Sequence, residues 1–104
     1  MRQYDICRLL PPGPGATGPD LVVVLQSDLL SEIKTRVVAP LAAERALPAL
    51  ARLRPMITHK GRRYWIVVDR LNVVANSALG DVVGSAASID YEIGRAIDGV
   101  FVGF

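Results

Sequence analysis

The chain has 104 residues, of which 51% are hydrophobic and 21% are charged, and its formal net charge is +2 at pH 7. A composition this apolar excludes an intrinsically disordered chain, and the length leaves room for one modest core, so we expect residues 1–104 to form a single domain. So mild a positive charge does not by itself indicate a nucleic-acid binder. The single cysteine, Cys7, excludes an internal disulfide and a cysteine-based metal site.

The N-terminal ten residues, MRQYDICRLL, lack the apolar stretch of a secretory signal peptide. No run reaches the ~18–20 apolar residues that a membrane span needs. We therefore expect a cytoplasmic protein that makes no contact with a membrane.

The first third of the chain predicts two strands separated by a loop. Tyr4 and Ile6 alternate with polar neighbours, which predicts a strand over residues 3–10. Residues 11–19, PPGPGATGP, cannot maintain regular hydrogen bonding, so we expect a loop there. A polyproline partner-binding segment is the alternative, and the glycines disfavour it. The β-branched run at residues 21–25 predicts a buried strand that ends at a polar triplet.

The middle of the chain predicts further strands. Residues 36–41 read as a strand that meets an edge or a bend at Pro40, because proline cannot donate a ladder hydrogen bond. Residues 42–53 have helical spacing, but Pro48 limits them to a turn or two, or to bends. A hairpin over residues 56–59 and 62–69 turns at Lys60-Gly61, and residues 71–75 continue as a strand. The connections are short enough for an antiparallel sheet of about five strands.

The last third predicts a helix that runs to the chain end. Residues 77–87 are small, and we expect a short helical turn at residues 81–83. Ser88 is a suitable N-cap, with Asp90 and Glu92 in the first turn, where the helix dipole favours acids. Apolar residues recur at intervals of three and four, at Ile89, Ile93, Ala96, Ile97, Val100 and Phe101. The apolar end of this helix either packs on the sheet or presents a surface to a partner.

The sequence contains little that predicts chemistry. His59 is the sole histidine, and no second histidine or cysteine lies at ligand spacing, so we predict no metal site and no cofactor. Residues 13–18 are glycine-rich but do not open a helix, so they do not form a phosphate-binding loop. Ser27 and Asp28 are too loosely related to His59 to indicate a nucleophile. We predict no catalytic residue.

One cluster of basic residues lies near two aromatic rings. It allows two interpretations: contact with RNA or DNA through phosphates and stacked bases, or a solvated hairpin tip around a core tryptophan. We favour the second, because the inner face of the strands needs a large apolar group. The cluster consists of Arg52, Arg54, His59, Lys60, Arg62 and Arg63, followed by Tyr64 and Trp65.

Two segments carry a family resemblance. LQSDLL at residues 25–30 and RVVAPLA at residues 36–42 resemble the central motif of the CcdB family of plasmid toxins. YWIVVDRL at residues 64–71 and the terminal helix extend the likeness over nearly the whole chain. The resemblance implies a mainly β fold with a C-terminal α-helix, a five-stranded antiparallel SH3-like barrel or sheet of the CcdB/MazF type.

The resemblance also implies a function. Members are homodimeric toxins of type II toxin–antitoxin systems that bind the A subunit of DNA gyrase and trap the gyrase–DNA complex. A disordered C-terminal segment of the cognate antitoxin neutralises them. The resemblance further implies that this chain is not an enzyme and has no direct contact with nucleic acid.

The implied partner-binding residues form two groups. In the family the gyrase contacts concentrate at a final Trp-Gly-Ile, for which this chain has Val102-Gly103-Phe104, so that the indole is absent. Two alternatives therefore stay open: a MazF-like ribonuclease toxin that uses the basic cluster at residues 52–63, and a non-toxic homologue that only binds its antitoxin. The implied residues are Gln26, Ser27, Asp28, Leu29 and Leu30, and then Asp98, Phe101, Val102, Gly103 and Phe104.

Overall fold

The computed structural model describes residues 2–10, 21–30, 32–50 and 52–103. Within these ranges the chain is mainly β, a curled antiparallel sheet with one C-terminal α-helix, which confirms the predicted fold class. The described residues contain seven strands rather than five. They are β1 (Asp5–Leu9), β2 (Leu21–Val24), β3 (Thr35–Ala43), β4 (Met56–His59), β5 (Arg62–Ile66), β6 (Asn72–Ala75) and β7 (Leu79–Ser85), followed by α1 (Asp90–Phe101).

In the part of the chain that the structure describes, five short 3-10 turns link these elements. The predicted loop at residues 11–19 lies outside the described residues. No helix in the described ranges combines the length and the hydropathy that a bilayer crossing requires. The turns are at Asp28–Leu30, Glu44–Ala46, Val68–Arg70, Asn76–Ala78 and Ala87–Ile89.

The strand β3 pairs with different neighbours along its length and so joins the two parts of the sheet. The strand order is β4-β5-β3-β2-β1-β7, and β6 pairs with β3 as well. The first half of β3 pairs with β6, up to Val38, and its last three residues pair with β5 from Leu41 onwards. Pro40 lies at this change of neighbour, where a residue without an N–H is tolerated, and its carbonyl accepts the Val67 N–H at 2.9 Å.

Both faces of the sheet are buried in the centre. The inner face carries the main core, to which β2 contributes Val23, whereas Val22 and Val24 pack on the opposite face with Cys7. Because successive side chains alternate between the two faces, a strand buried on both sides reads as an uninterrupted apolar run. This accounts for the β-branched sequence of β2.

The helix α1 closes the inner core. Ile93 and Ala96 are fully buried, and Ile89, Ile97 and Val100 pack around them. The predicted N-cap is wrong: Ser88 lies inside the preceding 3-10 turn, and Ile89 occupies the capping position without a side-chain hydrogen bond.

Phe101, which we expected on the apolar face of this helix, is 69% exposed. Val100 already occupies the buried face at that level of α1, and successive helical residues are about 100° apart. The side chain of Phe101 therefore turns towards solvent.

The segment predicted as a helical turn, residues 81–83, is instead part of β7. That strand pairs with β1 with two register shifts, one after Ile6 and one after Cys7, and Gly84 lies opposite Ile6. A Cβ built at Gly84 would lie 3.0 Å from ring atoms of His59. The small residues of this segment therefore serve close packing in a strand, and they do not form a helical turn.

Residues 42–53 contain less helix than their spacing suggests. The strand β3 runs on to Ala43, and only one 3-10 turn, Glu44–Ala46, follows it in the described part of this segment. The indole N–H of Trp65 donates to the carbonyls of Glu44 and Leu47, each at 3.1 Å. Trp65 therefore holds this segment against β5.

Candidate functional site

The first predicted partner-binding group, residues 26–30, is called the rim loop below and is held by its own polar side chains. Asp28 accepts the backbone N–H of Gln3 at 2.7 Å, and the side chain of Gln3 donates to the Leu25 carbonyl at 3.0 Å. Gln26 donates to the carbonyl of Thr35 at 3.2 Å, and Ser27 accepts the N–H of Leu29 at 3.2 Å. The polar residues of the motif therefore shape the loop.

The leucines of the rim loop point outwards. Leu29 is 93% exposed and Leu30 is 46% exposed. An apolar side chain on a loop that is already ordered loses less conformational entropy when a partner covers it. Leu29 is consequently the stronger contact candidate of this group.

The second predicted group lies at the end of α1. Val102 is 86% exposed and follows the exposed Phe101. The backbone N–H groups of Val102 and Gly103 both donate to the Asp98 carbonyl, at 2.8 and 3.2 Å, and Gly103 adopts a φ of 85°. This is a left-handed helix end of the kind that favours glycine. Phe104 lies outside the described residues.

A groove that sequence reasoning missed runs beside this helix. One pocket of about 350 Å³ is lined by Asp98, Val102 and Gly103 together with Arg52 and Arg95. A second, of about 460 Å³, shares these two arginines and extends to Tyr91. Tyr91, Arg95, Asp98 and Val102 recur at helical spacing away from the buried Ile93, and this spacing was the available signal.

The structure divides the predicted basic cluster. Arg54 donates two hydrogen bonds to Asp69, each at 3.0 Å, and its side chain is 8% exposed. This pairing holds the pKa of Asp69 below its ordinary value. Arg63 pairs with Glu44 at 3.3 Å on the surface. Arg54 and Arg63 therefore have structural roles.

Three members of the basic cluster line a pocket together with a residue of the N-terminal strand. His59, Lys60 and Arg62 line a pocket of about 240 Å³ together with Arg8. The other lining residues are Leu21, Tyr64 and Val83, so no acidic residue lines it within the described ranges. Arg8 was not predicted, because it is distant in sequence from the β4–β5 hairpin and the two meet only in the folded sheet.

Metal binding finds no support in the described ranges. There, no group of three or more histidine, cysteine, aspartate or glutamate side chains is placed to hold a metal ion.

Several solved structures share this fold, and they include proteins named as toxins and as endoribonucleases. An endoribonuclease in complex with its cognate antitoxin, from Mycobacterial species, superposes with a TM-score of 0.76 at 13% identity, covering 96% of this chain and 93% of that one. The Mycobacterium tuberculosis toxin MazF-mt6 gives 0.74 at 17% identity, covering 93% and 95%. An endoribonuclease from Mycobacterial species gives 0.72 at 12% identity, covering 96% and 89%. At these identities the likeness establishes a shared fold.

These structures correct one prediction. We expected this chain not to be an enzyme, and that expectation is contradicted, because proteins of the same fold are described as endoribonucleases. The error was to extend a property of the resembled family to every toxin of this fold, although folds host more than one activity.

Sequence comparison gives two results. A search against curated protein sequences yields no significant match. The profile of the CcdB protein family matches residues 3–103. Together with the structural likeness, this supports a toxin of a toxin–antitoxin system. The chain belongs to the CcdB family.

Proposed function

We propose that this chain is a toxin that acts by docking onto the A subunit of DNA gyrase, and that its cognate antitoxin neutralises it by binding an overlapping surface. The proposed contact residues are the rim loop, residues 26–30, the helix end formed by Asp98 and residues 101–103, and Phe104. The observation that carries the proposal is the exposure of Phe101 and Val102 at the end of a firmly anchored helix.

Adjacent large apolar residues that face solvent mark an interaction surface more often than a lone one does. Burial of a side chain the size of Phe101, Val102 or Leu29 contributes about 1.5–3 kcal/mol when it is complete. The buried Ile93 and Ala96 fix the helix that carries the first two. The indole at position 102 is missing, but the exposed ring of Phe101 matches the aromatic residue that precedes the family's final motif.

The proposal includes a cytoplasmic homodimer, as the family resemblance implies. Sedimentation velocity at micromolar concentration tests the dimer, for which we expect a mass near twice the 11.2 kDa of the chain. A monomer at all concentrations would remove this part of the proposal.

Growth arrest and capture test the docking function. We expect expression in a sensitive host to stop growth, co-expression of the antitoxin to restore it, and the purified chain to capture the A subunit of gyrase. Val102→Ser is expected to weaken capture at least about tenfold, since it removes apolar burial. Val73→Ser is the matched control, because Val73 is also exposed, at 57%, but lies on β6. Equal loss in both variants, or no capture by the parent chain, contradicts the proposal.

RNA cleavage is a second candidate, favoured by the basic pocket around Arg8 and Arg62. The same fold occurs in endoribonucleases. Incubation of the purified chain with single-stranded RNA, followed by gel separation, decides it. Discrete fragments that disappear when the antitoxin is added support cleavage, and intact RNA excludes it.

A further inference from the structure

We infer that the pocket bounded by Arg8, His59, Lys60 and Arg62 is a phosphate-binding site. A phosphate site goes beyond the docking function. It also names the groups that would hold the RNA backbone in the second candidate function, RNA cleavage, and to that extent the inference rests on the proposed function. The residues come from β1 and from the β4–β5 hairpin, which are far apart in sequence.

The fold places charge where the inner core ends. Ile6 is buried in the inner core, and Arg8 lies two residues further along β1, on the same face. Gly84 of β7 is the Cα partner of Ile6, and His59 packs over that glycine. The basic pocket therefore lies beside the end of the inner core.

Backbone geometry holds the pocket in shape. Lys60 and Gly61 both have positive φ, at 50° and 77°, so the hairpin turns in two residues. His59 and Arg62 are consequently Cα partners in the ladder. The imidazole of His59 lies against Gly84 and at 56° to the Tyr64 ring, with centroids 6.5 Å apart. A ring fixed in this way is ready to donate a hydrogen bond to a ligand without further ordering.

The charge of the pocket favours a phosphate. Arg8, Lys60 and Arg62 line it, and none of its described lining residues is acidic. Elsewhere on the hairpin, Arg63 is matched by Glu44. A phosphate presents up to two charges and several oxygens, which an arginine fork binds in pairs, whereas a peptide carboxylate presents one charge and two oxygens. A volume of about 240 Å³ holds a phosphate with part of a sugar, but little more of a chain.

The sole histidine of the chain makes the test specific. Its ring proton signals in an NMR spectrum report on the pocket alone. We expect inorganic phosphate, uridine monophosphate and a short single-stranded oligonucleotide each to shift these signals in a saturable way. Tighter binding of the oligonucleotide than of the mononucleotide identifies a nucleic-acid backbone as the source, and equal binding identifies free phosphate esters.

Arg8→Gln and Arg62→Gln are expected to weaken phosphate binding at least about fivefold each, because each removes a charged partner. Each variant should also make the negative slope of log K against log salt concentration shallower by about 0.7 for the oligonucleotide, because one phosphate contact is lost. Arg70→Gln is the matched control: it removes one exposed positive charge from a 3-10 turn that does not line the pocket. Unchanged His59 signals, or equal weakening in all three variants, overturns the inference.

The outcomes separate this inference from RNA cleavage. If the oligonucleotide binds through Arg8 and Arg62 but RNA stays intact, the phosphate site stands and the cleavage function fails. If RNA is cut equally well by the parent chain and by both pocket variants, cleavage stands and the phosphate site fails as its RNA contact.

Discussion

Arg54 and Asp69 form an ion pair that joins two segments without strand pairing between them. The 3-10 turn Val68–Arg70 and the segment before β4 have no strand pairing with each other, and the paired hydrogen bonds of these two side chains join them. Arg54 also donates to the Pro48 carbonyl at 2.9 Å. A bidentate pair of this kind adds geometric specificity to its attraction.

This pair predicts an acid-dependent loss of stability. The hydrogen-bonded Arg54 guanidinium lowers the pKa of Asp69 below its ordinary value of 3.8. The pair therefore stabilises the fold fully above that ordinary value, and the contribution is lost as pH falls through the lowered pKa of the folded state. In urea unfolding at a series of pH values, the parent chain should lose its advantage over Asp69→Asn only below about pH 4. A constant difference down to about pH 2 would contradict the assignment.

Cys7 supports a prediction about reactivity. Its side chain is fully buried with Val22 and Val24 on the face of the sheet opposite the inner core, and burial raises the pKa of its thiol, with a smaller contribution from the nearby Asp5. Both effects suppress the reactive thiolate. We expect an aromatic disulfide reagent to label the native protein at least about 100-fold more slowly than the protein in denaturant, because labelling needs opening of the sheet. Rapid labelling of the native protein would show that β1 is not held as described.

At the scale of single residues, the resemblance to the CcdB family indicated Leu29 and Leu30 as contact residues, and both side chains are exposed. The sequence did not predict where the helix ends, because its apolar spacing continues to the chain end whereas α1 stops at Phe101. The sequence also could not predict the contribution of Arg8 to the basic pocket, since that depends on contacts between strands that are distant in sequence. It also misplaced Phe101, because hydrophobic spacing does not show which of two adjacent apolar residues occupies the buried side.

At the scale of elements, the missed strand β7 has a physical cause. Its sequence, LGDVVGS, contains two glycines and few of the residues that favour strands. Pairing with β1 overrides that weak preference, and the closeness of the His59 ring to Gly84 requires the small residue. The fold class was nevertheless predictable, because β2 and β3 contain short β-branched runs and α1 has a clear helical periodicity.

Two glycines in different elements support opposite predictions. Gly61 has a φ of 77° and Gly94 lies inside α1, and a Cβ added at either meets no atom within 4 Å. Only backbone preference therefore differs between the two sites. Gly61→Ala should lower the free energy of unfolding by about 1–2 kcal/mol, and Gly94→Ala should raise it by about 0.5–1 kcal/mol. Urea unfolding followed by circular dichroism measures both. Changes of the same sign in both variants would show that something other than backbone preference acts at one site.

At the scale of the whole molecule, the helix α1 has two separable parts. Its first part buries Ile93 and Ala96 in the inner core, and its end presents Phe101 to solvent. A protein that needs its terminal helix both for stability and for docking must keep the two sets of side chains on different faces. Stability and partner binding are therefore expected to respond to different substitutions in the same helix.

Two alanine variants of this helix test that separation. Ile93→Ala should lower the free energy of unfolding by about 2–5 kcal/mol, because it leaves a cavity in the core. Phe101→Ala should change it by no more than about 0.5 kcal/mol, because the ring is mostly exposed. The order reverses for docking: under conditions where both variants are folded, Phe101→Ala should lose antitoxin capture and Ile93→Ala should keep it. If Phe101→Ala destabilises the fold as much as Ile93→Ala, its ring belongs to the core and the docking surface must lie elsewhere.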